Sequence, residues 1–184
     1  MYRCKWAKKD IEINYHDNEW CKPSYDDLYI FEMLILETFQ AGLSWLIVLN
    51  KRESIRNAFS SFDYEKIAKY DEYKIEELLL NEQIIRNKLK IRSAISNAKS
   101  YIKIREEFGS FSSYIWKFVN NKICVNYPKD EKQIQSKNDL SDEISKDLKK
   151  RGFKFVGSTT VYSFLQSIGI IDDHVINCKE KYGK

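Results

Sequence analysis

The chain has 184 residues, 43 % of them hydrophobic and 14 % aromatic, with 31 basic against 27 acidic side chains. That is enough chain to bury a core, too apolar for a disordered protein, and too evenly charged (net +4) to argue for or against a nucleic-acid partner. No stretch approaches the ~20 uninterrupted apolar residues of a membrane span, and the charged N-terminus lacks a signal peptide's apolar centre; a soluble, cytoplasmic monomer is expected.

Six glycines and two prolines are few, and apolar residues recur at helical spacing almost throughout, so the expected fold is all-α. Residues 26–42, DDLYIFEMLILETFQAG, open on acids and close on glycine, the start and stop signals of a helix. Residues 43–62 continue helically, and 64–70 and 74–81 read as two short helices. Residues 84–109 read as one long amphipathic helix and 110–120 as another. The polar stretch 121–138 is the best loop candidate. Residues 141–152 show a serine N-cap, Ile144 and Leu148 four apart, and a closing glycine. Residues 156–169 and 172–178 read as two last helices. The whole is expected to form one domain over residues 1–184, or two helical lobes around a central cleft.

YHDNEWC (15–21) carries one of only two histidines. Alone, His16 reads as a structural residue as readily as a base or a ligand. The second histidine lies in HVINC, which on a helix places His174 and Cys178 as neighbours on one face. With Cys4 and His16 they make a Cys2His2 set, a common composition for structural zinc. Such a zinc would staple the two ends of the chain, which otherwise fray. Four protein ligands leave no open position for a catalytic water. Cys21 and Cys124 read as ordinary buried thiols.

The helix LYIFEMLILETF (28–39) is apolar in nearly every direction, yet carries Glu32 and Glu37, about 140° apart at ~100° per residue. Burying an unpaired carboxylate costs several kcal/mol. One of the two can reach solvent; the other has either a salt bridge or a pocket role facing a polar or cationic ligand. QAGLSW places Leu43 and Trp45 just beyond Glu37, while Trp6, Tyr15 and Trp20 come from the N-terminal segment. Aromatic faces beside a carboxylate suit a flat, hydrogen-bonding ligand such as a flipped nucleobase, although aromatic clusters are commonly core.

LKKRGFKFVGSTTVYSF (148–164) reads as helix, tight turn, helix. Gly152 and Gly157 allow close backbone approach, and the amides at the start of the next helix can meet an anion. Five basic residues between 146 and 154, Lys149, Lys150 and Arg151 among them, oppose one acid, Asp147. Such a turn fits a DNA backbone, or simply a solvated basic helix end.

Taken together, YHDNEW, QAGLSW, IIRNKLKI, LKKRGFKFVG and DDHVINC closely resemble the bacterial 3-methyladenine DNA glycosylases of type I, a branch of the helix-hairpin-helix glycosylases. The resemblance runs nearly end to end. It implies a helix-hairpin-helix glycosylase fold with a structural zinc on Cys4, His16, His174 and Cys178. It implies a base pocket of Glu37, Tyr15 and Trp45, with Trp6 and Trp20 nearby, and Leu43 and the hairpin on DNA. The implied reaction flips 3-methyladenine out of duplex DNA and hydrolyses its N-glycosidic bond, with no lyase step. Asp172 and Asp173 lie near the place of the catalytic aspartate of other helix-hairpin-helix glycosylases, on which this branch does not depend. The chain departs from the familiar pattern at Cys21 and Phe39, which are expected to flank the pocket. Two rival readings are a damage-binding module without catalysis and a zinc hydrolase, the latter needing an open metal position.

Overall fold

A computed structural model describes residues 2–182. Nine α-helices follow in order among these residues: α1 (Asp10–Asn18), α2 (Asp27–Gln40), α3 (Trp45–Ala58), α4 (Tyr64–Ile67), α5 (Glu72–Leu80), α6 (Lys88–Phe108), α7 (Phe111–Lys117), α8 (Asp139–Lys150) and α9 (Ser158–Ser167). Side-chain caps set several starts. Asp26 accepts from the Leu28 amide at 2.9 Å, and Asn87 accepts from the Lys90 amide at 3.1 Å.

α2 is the axis of the molecule. Ile30, Phe31, Met33, Leu34, Ile35, Leu36 and Phe39 are all fully buried, and the helix packs against α3, α6, α7 and α9. Its all-round burial is what its nearly all-apolar sequence requires. The helical expectation holds, and no helix among the described residues is long and apolar enough to cross a membrane.

α1 is not anticipated by the sequence, α4 and α7 end about three residues earlier than expected, and four further differences have a local cause or consequence. Residues 84–87 are not helical, because Asn81 first forms its own turn, accepting from the Gln83 amide at 2.9 Å, and Asn87 then caps α6. The helix expected over 43–62 ends at Ala58, followed by a 3-10 turn at Ser60–Phe62. α8 begins earlier than expected. Asn138 is its cap and Ser141 completes the capping box, so the serine is the third helical residue rather than the cap.

The fourth difference is at the C-terminal end. Residues 172–178 form no helix. Cys124–Val125 (β1) and Ile171–Asp172 (β2) pair in parallel, Cys124 opposite Ile171 and Val125 opposite Asp172. The Asp172 carboxylate then accepts from the His174 amide at 2.9 Å. That local bond and the ladder use the backbone groups a helix would need. Turns, with the Cys178 amide on the Val175 carbonyl, and not a helix face, therefore set the places of His174 and Cys178.

Candidate active site and metal cluster

Helix α1 and the residues just before it deliver Trp6, Tyr15 and His16, while Trp20 follows in the turn after α1. α2 delivers Glu37, and the Gly42 turn delivers Trp45 at the start of α3. Trp6, Tyr15, Trp20, Glu37 and Trp45 line one cavity of about 500 Å³, a volume suited to a small ligand. Tyr15 and Trp45 ring centroids are 5.2 Å apart, and Trp6 meets Trp20 edge-on at 5.1 Å. All five residues expected for the pocket therefore share it.

Glu37 is 4 % exposed and its Oε2 has no hydrogen-bond partner among the described residues. Burial pushes its carboxyl up to about 8. Trp45 Nε1 is likewise buried and without a partner. An acceptor and a donor, both buried and both unpaired, thus sit on residues of one cavity wall. Such groups are costly in a folded protein and stand out as ligand-directed.

The other acid of α2 takes the alternative left open by sequence. Glu32 binds Arg52 at 2.7 Å and Arg56 at 2.6 Å, and Arg52 also reaches Glu19. Glu32 is a structural ion pair. Phe39 is fully buried and meets Phe59 at 5.6 Å between centroids, so it belongs to the core. Cys21 is also buried, with φ of 59°, a left-handed conformation that favours glycine. Neither Cys21 nor Phe39 is among the cavity-lining residues; each adjoins one in the chain, Trp20 and Gln40 respectively.

Two further walls were not apparent from sequence. Glu131, Ile134, Gln135 and Ser136 come from the loop between β1 and α8, and Ser163 and Gln166 from α9. The loop shows no periodic signal, so only tertiary structure reveals it. Gln166 carries no signal in the sequence either; its amide donates to buried Asp173 at 2.7 Å, and Asp173 also accepts from Tyr162 and Asn126. Asp173 is therefore engaged as a structural acceptor.

At the back of the aromatic wall lies a group of candidate metal ligands. The ligand atoms of Cys4, His16 and Cys178 lie within 4.8 Å of one another, all buried. The fourth expected ligand, His174, is not within that group: its ligand atom groups with Cys21 and Asp172, and its ring faces His16 edge-on at 4.9 Å between centroids. His16 Nδ1 bonds Asp17 at 2.7 Å and His174 Nδ1 bonds Asp172 at 2.8 Å. A carboxylate partner fixes Nδ1 as the donor and leaves Nε2 as the lone-pair nitrogen of each ring, the usual outer support of a metal-binding histidine. His174 Nε2 is buried and lacks any partner among the described residues, and His16 Nε2 is 3.6 Å from Cys178 Sγ. This arrangement fits a metal ion. Arg3, then Lys179 and His16, hold the Asp17 carboxyl well below its ordinary range. Through Asp17, Arg3 and Lys179, the two ends of the chain are also tied by charge.

The hairpin joins α8 to α9. Gly152 has φ of 96°, where a side chain is strained, and an added Cβ would meet Ser100 Oγ at 3.1 Å. Gly157 is the N-cap of α9, with no side-chain cap and open space where a Cβ would project. Lys149 and Lys150 are exposed. Arg151 is committed elsewhere, to Glu107 and Asp147 at 2.7 Å each. Leu43 is half-buried on the turn between α2 and α3, flanked by exposed Gly42 and Ser44.

Comparison with known proteins adds the family. The profile of the Methyladenine glycosylase family matches residues 6–181. A Haemophilus influenzae protein named DNA-3-methyladenine glycosylase is 46 % identical over 177 residues, covering 96 % of each chain. The Escherichia coli DNA-3-methyladenine glycosylase 1 is 44 % identical, covering 97 % of this chain and 96 % of its own. Among solved structures, the Staphylococcus aureus 3-methyladenine DNA glycosylase I, solved to explain 3-methyladenine recognition, superposes with a TM-score of 0.94. It is 37 % identical over 97 % of this chain and 96 % of that one.

Proposed function

The chain belongs to the methyladenine glycosylase family, and from that premise we infer that it is a DNA-3-methyladenine glycosylase, removing alkylated adenine in base-excision repair. The observation that carries the mechanism is the pair of unpaired buried groups, Glu37 Oε2 and Trp45 Nε1, on one aromatic cavity. An adenine edge offers an amino donor and ring-nitrogen acceptors, the complement of that pair. Extruded bases are read in this manner, by edge hydrogen bonds and aromatic stacking.

Alkylation at N3 makes adenine cationic within the nucleotide. It departs as a neutral base, so strong protonation by the protein is unnecessary. Positioning and charge supply the acceleration. At neutral pH the buried Glu37 is largely the neutral acid, being pushed up to about 8. A cationic base entering the cavity favours its carboxylate, the proton leaving to solvent as the base binds, because opposite charges nearby stabilise the ionised form. Glu37 thus attracts the modified base more than unmodified adenine. As the bond breaks, the sugar develops positive character, and water adds to leave an abasic site. Tyr15 and Trp45 hold the base plane.

The hairpin supplies the duplex grip. The uncapped start of α9 at Gly157, with exposed Lys149 and Lys150 at the end of α8 across the hairpin, suits a phosphate. Gly152 shapes the turn. Arg151 steadies it through Glu107 and Asp147 rather than by a free charge. Leu43 faces the DNA from the turn beside the pocket.

Cys4, His16, His174 and Cys178 would hold one zinc. With four protein ligands, zinc there supplies a cross-link between the ends of the chain. The aromatic stack carries its position to the pocket: His16 lies 5.4 Å from Trp6 and 5.7 Å from Trp20 between centroids. Release of free 3-methyladenine from methylated duplex tests this reading. A damage-binding module would bind that duplex without releasing base.

A further inference from the structure

Helix α6 carries three buried polar side chains that bond the backbones of two separate turns. Lys90, in its first turn, is 6 % exposed and donates to the Phe39 carbonyl at 2.7 Å and the Ala41 carbonyl at 2.6 Å. Those carbonyls end α2 and open the turn that separates Glu37 from Trp45. Asn97, fully buried, clamps Lys154 of the hairpin on both sides: its Nδ2 donates to the Lys154 carbonyl at 3.1 Å and its Oδ1 accepts from the Lys154 amide at 2.7 Å. Ser100 donates to the Arg151 carbonyl at 2.9 Å.

The placement of Lys90 is costly unless it serves something. Its ammonium is buried with no carboxylate in salt-bridge range among the described residues, which is unfavourable for a charge. It lies at a helix N-terminus, the positive end of the dipole. What it gains is the end of α2, which has no basic residue in its own last turn. The turn it holds is tight, with the Leu43 amide on the Gln40 carbonyl at 2.6 Å and Gly42 at φ of 78°. Gln40, Ser44 and Trp45 from this turn line the cavity.

Lys90, Asn97 and Ser100 project within an arc of roughly 80° at ~100° per residue, and the rise from Lys90 to Ser100 is about 15 Å. One rigid helix thus fixes the distance between the turn beside the pocket and the hairpin turn. Resting on the glycosylase reading above, we propose that α6 is a strut, with Lys90 and Asn97 as positioning residues that set the register between DNA gripped by the hairpin and the base pocket. Neither residue touches the base. Lys90 aligns the pocket turn, and Asn97, aided by Ser100, aligns the phosphate-facing turn.

The test compares full-length, metal-loaded wild type with Lys90→Met and Asn97→Ala, all corrected for folded fraction by thermal melting. Lys90→Met should slow single-turnover excision at saturating enzyme by about tenfold or more, because a small misplacement is costly to chemistry. Its affinity for undamaged duplex should stay within about twofold, since phosphate contacts supply that affinity. Asn97→Ala should lower affinity for any duplex about fivefold or more and, because the gripped DNA then sits out of register with the pocket, also slow excision at saturation. Lys90→Gln, which keeps a donor, should recover part of the rate, and it replaces Lys90→Met if that variant does not fold. Variants that melt earlier yet keep both constants would overturn the proposal, as would an Asn97→Ala variant that binds undamaged duplex like wild type. A wild type that releases no base would instead overturn the glycosylase reading beneath it.

Discussion

Glu32 and Glu37 are five residues apart on one buried helix, and only Glu32 has cations: Arg52 and Arg56 lie within 2.7 Å of it, while Glu37 Oε2 has no partner among the described residues. The two carboxylates cost the fold in opposite ways, and substitution separates them.

Glu32→Gln should destabilise. It leaves two arginines facing an amide, and breaking a buried pair costs ~3–5 kcal/mol, less whatever Arg52 keeps through Glu19. Chemical denaturation measures it, and excision per folded molecule should hardly change.

Glu37→Gln should hold or raise stability, in a pH-dependent way. The unfolded carboxyl titrates near 4.5 and the folded one near 8. Between those values the unfolded chain has released a proton that the folded chain still holds. Wild-type stability therefore falls as pH rises through this window and levels above it, by roughly 1.4 kcal/mol for each pH unit crossed. The glutamine variant lacks this fall. Its stability advantage should be small near pH 4.5 and grow to several kcal/mol by pH 8. Equal slopes for both proteins would show that Glu37 is ionised in the fold.

Elemental analysis of protein kept from chelators should give about one zinc per chain. Stripping the metal should lower the melting temperature and loosen both ends, read as faster amide exchange in residues 2–22 and 171–182. Cys4→Ser should do the same. Full metal loading in a His174→Asn variant would remove His174 from the ligand set.

Reversing charge at Lys149 and Lys150 should weaken binding to any duplex and reduce the salt slope by about 0.9 for each phosphate no longer neutralised. Arg151→Glu should act differently. It faces Glu107 and Asp147, so its main cost should be stability. An unchanged salt slope in the double lysine variant would take the hairpin off the DNA.

Much of this site is legible in the sequence because its chemistry is local in type. A carboxylate in an apolar helix, tryptophans on either side, and two histidines with two cysteines are visible as residues. The sequence does not say which α2 acid is paired, because Arg52 and Arg56 reach Glu32 from another helix. HVINC has helical spacing, but Asp172 offers the backbone a competing bond and β1 takes the strand. The loop wall of the cavity and the α6 clamps depend on contacts between residues about 50 or more apart in sequence, such as Lys90 with Phe39, and no periodicity encodes them.

The most direct test of the account is single-turnover release of 3-methyladenine from methylated duplex by wild type and Glu37→Gln at equal folded concentration. Wild type should release the free base and leave an abasic site. The variant should lose roughly 1.5–3 kcal/mol of the interaction, about ten- to hundredfold in rate or base affinity, while melting no earlier than wild type. A variant that excises like wild type but melts earlier would contradict the account, since Glu37 would then be a structural residue. So would a wild type that binds the methylated duplex and releases nothing.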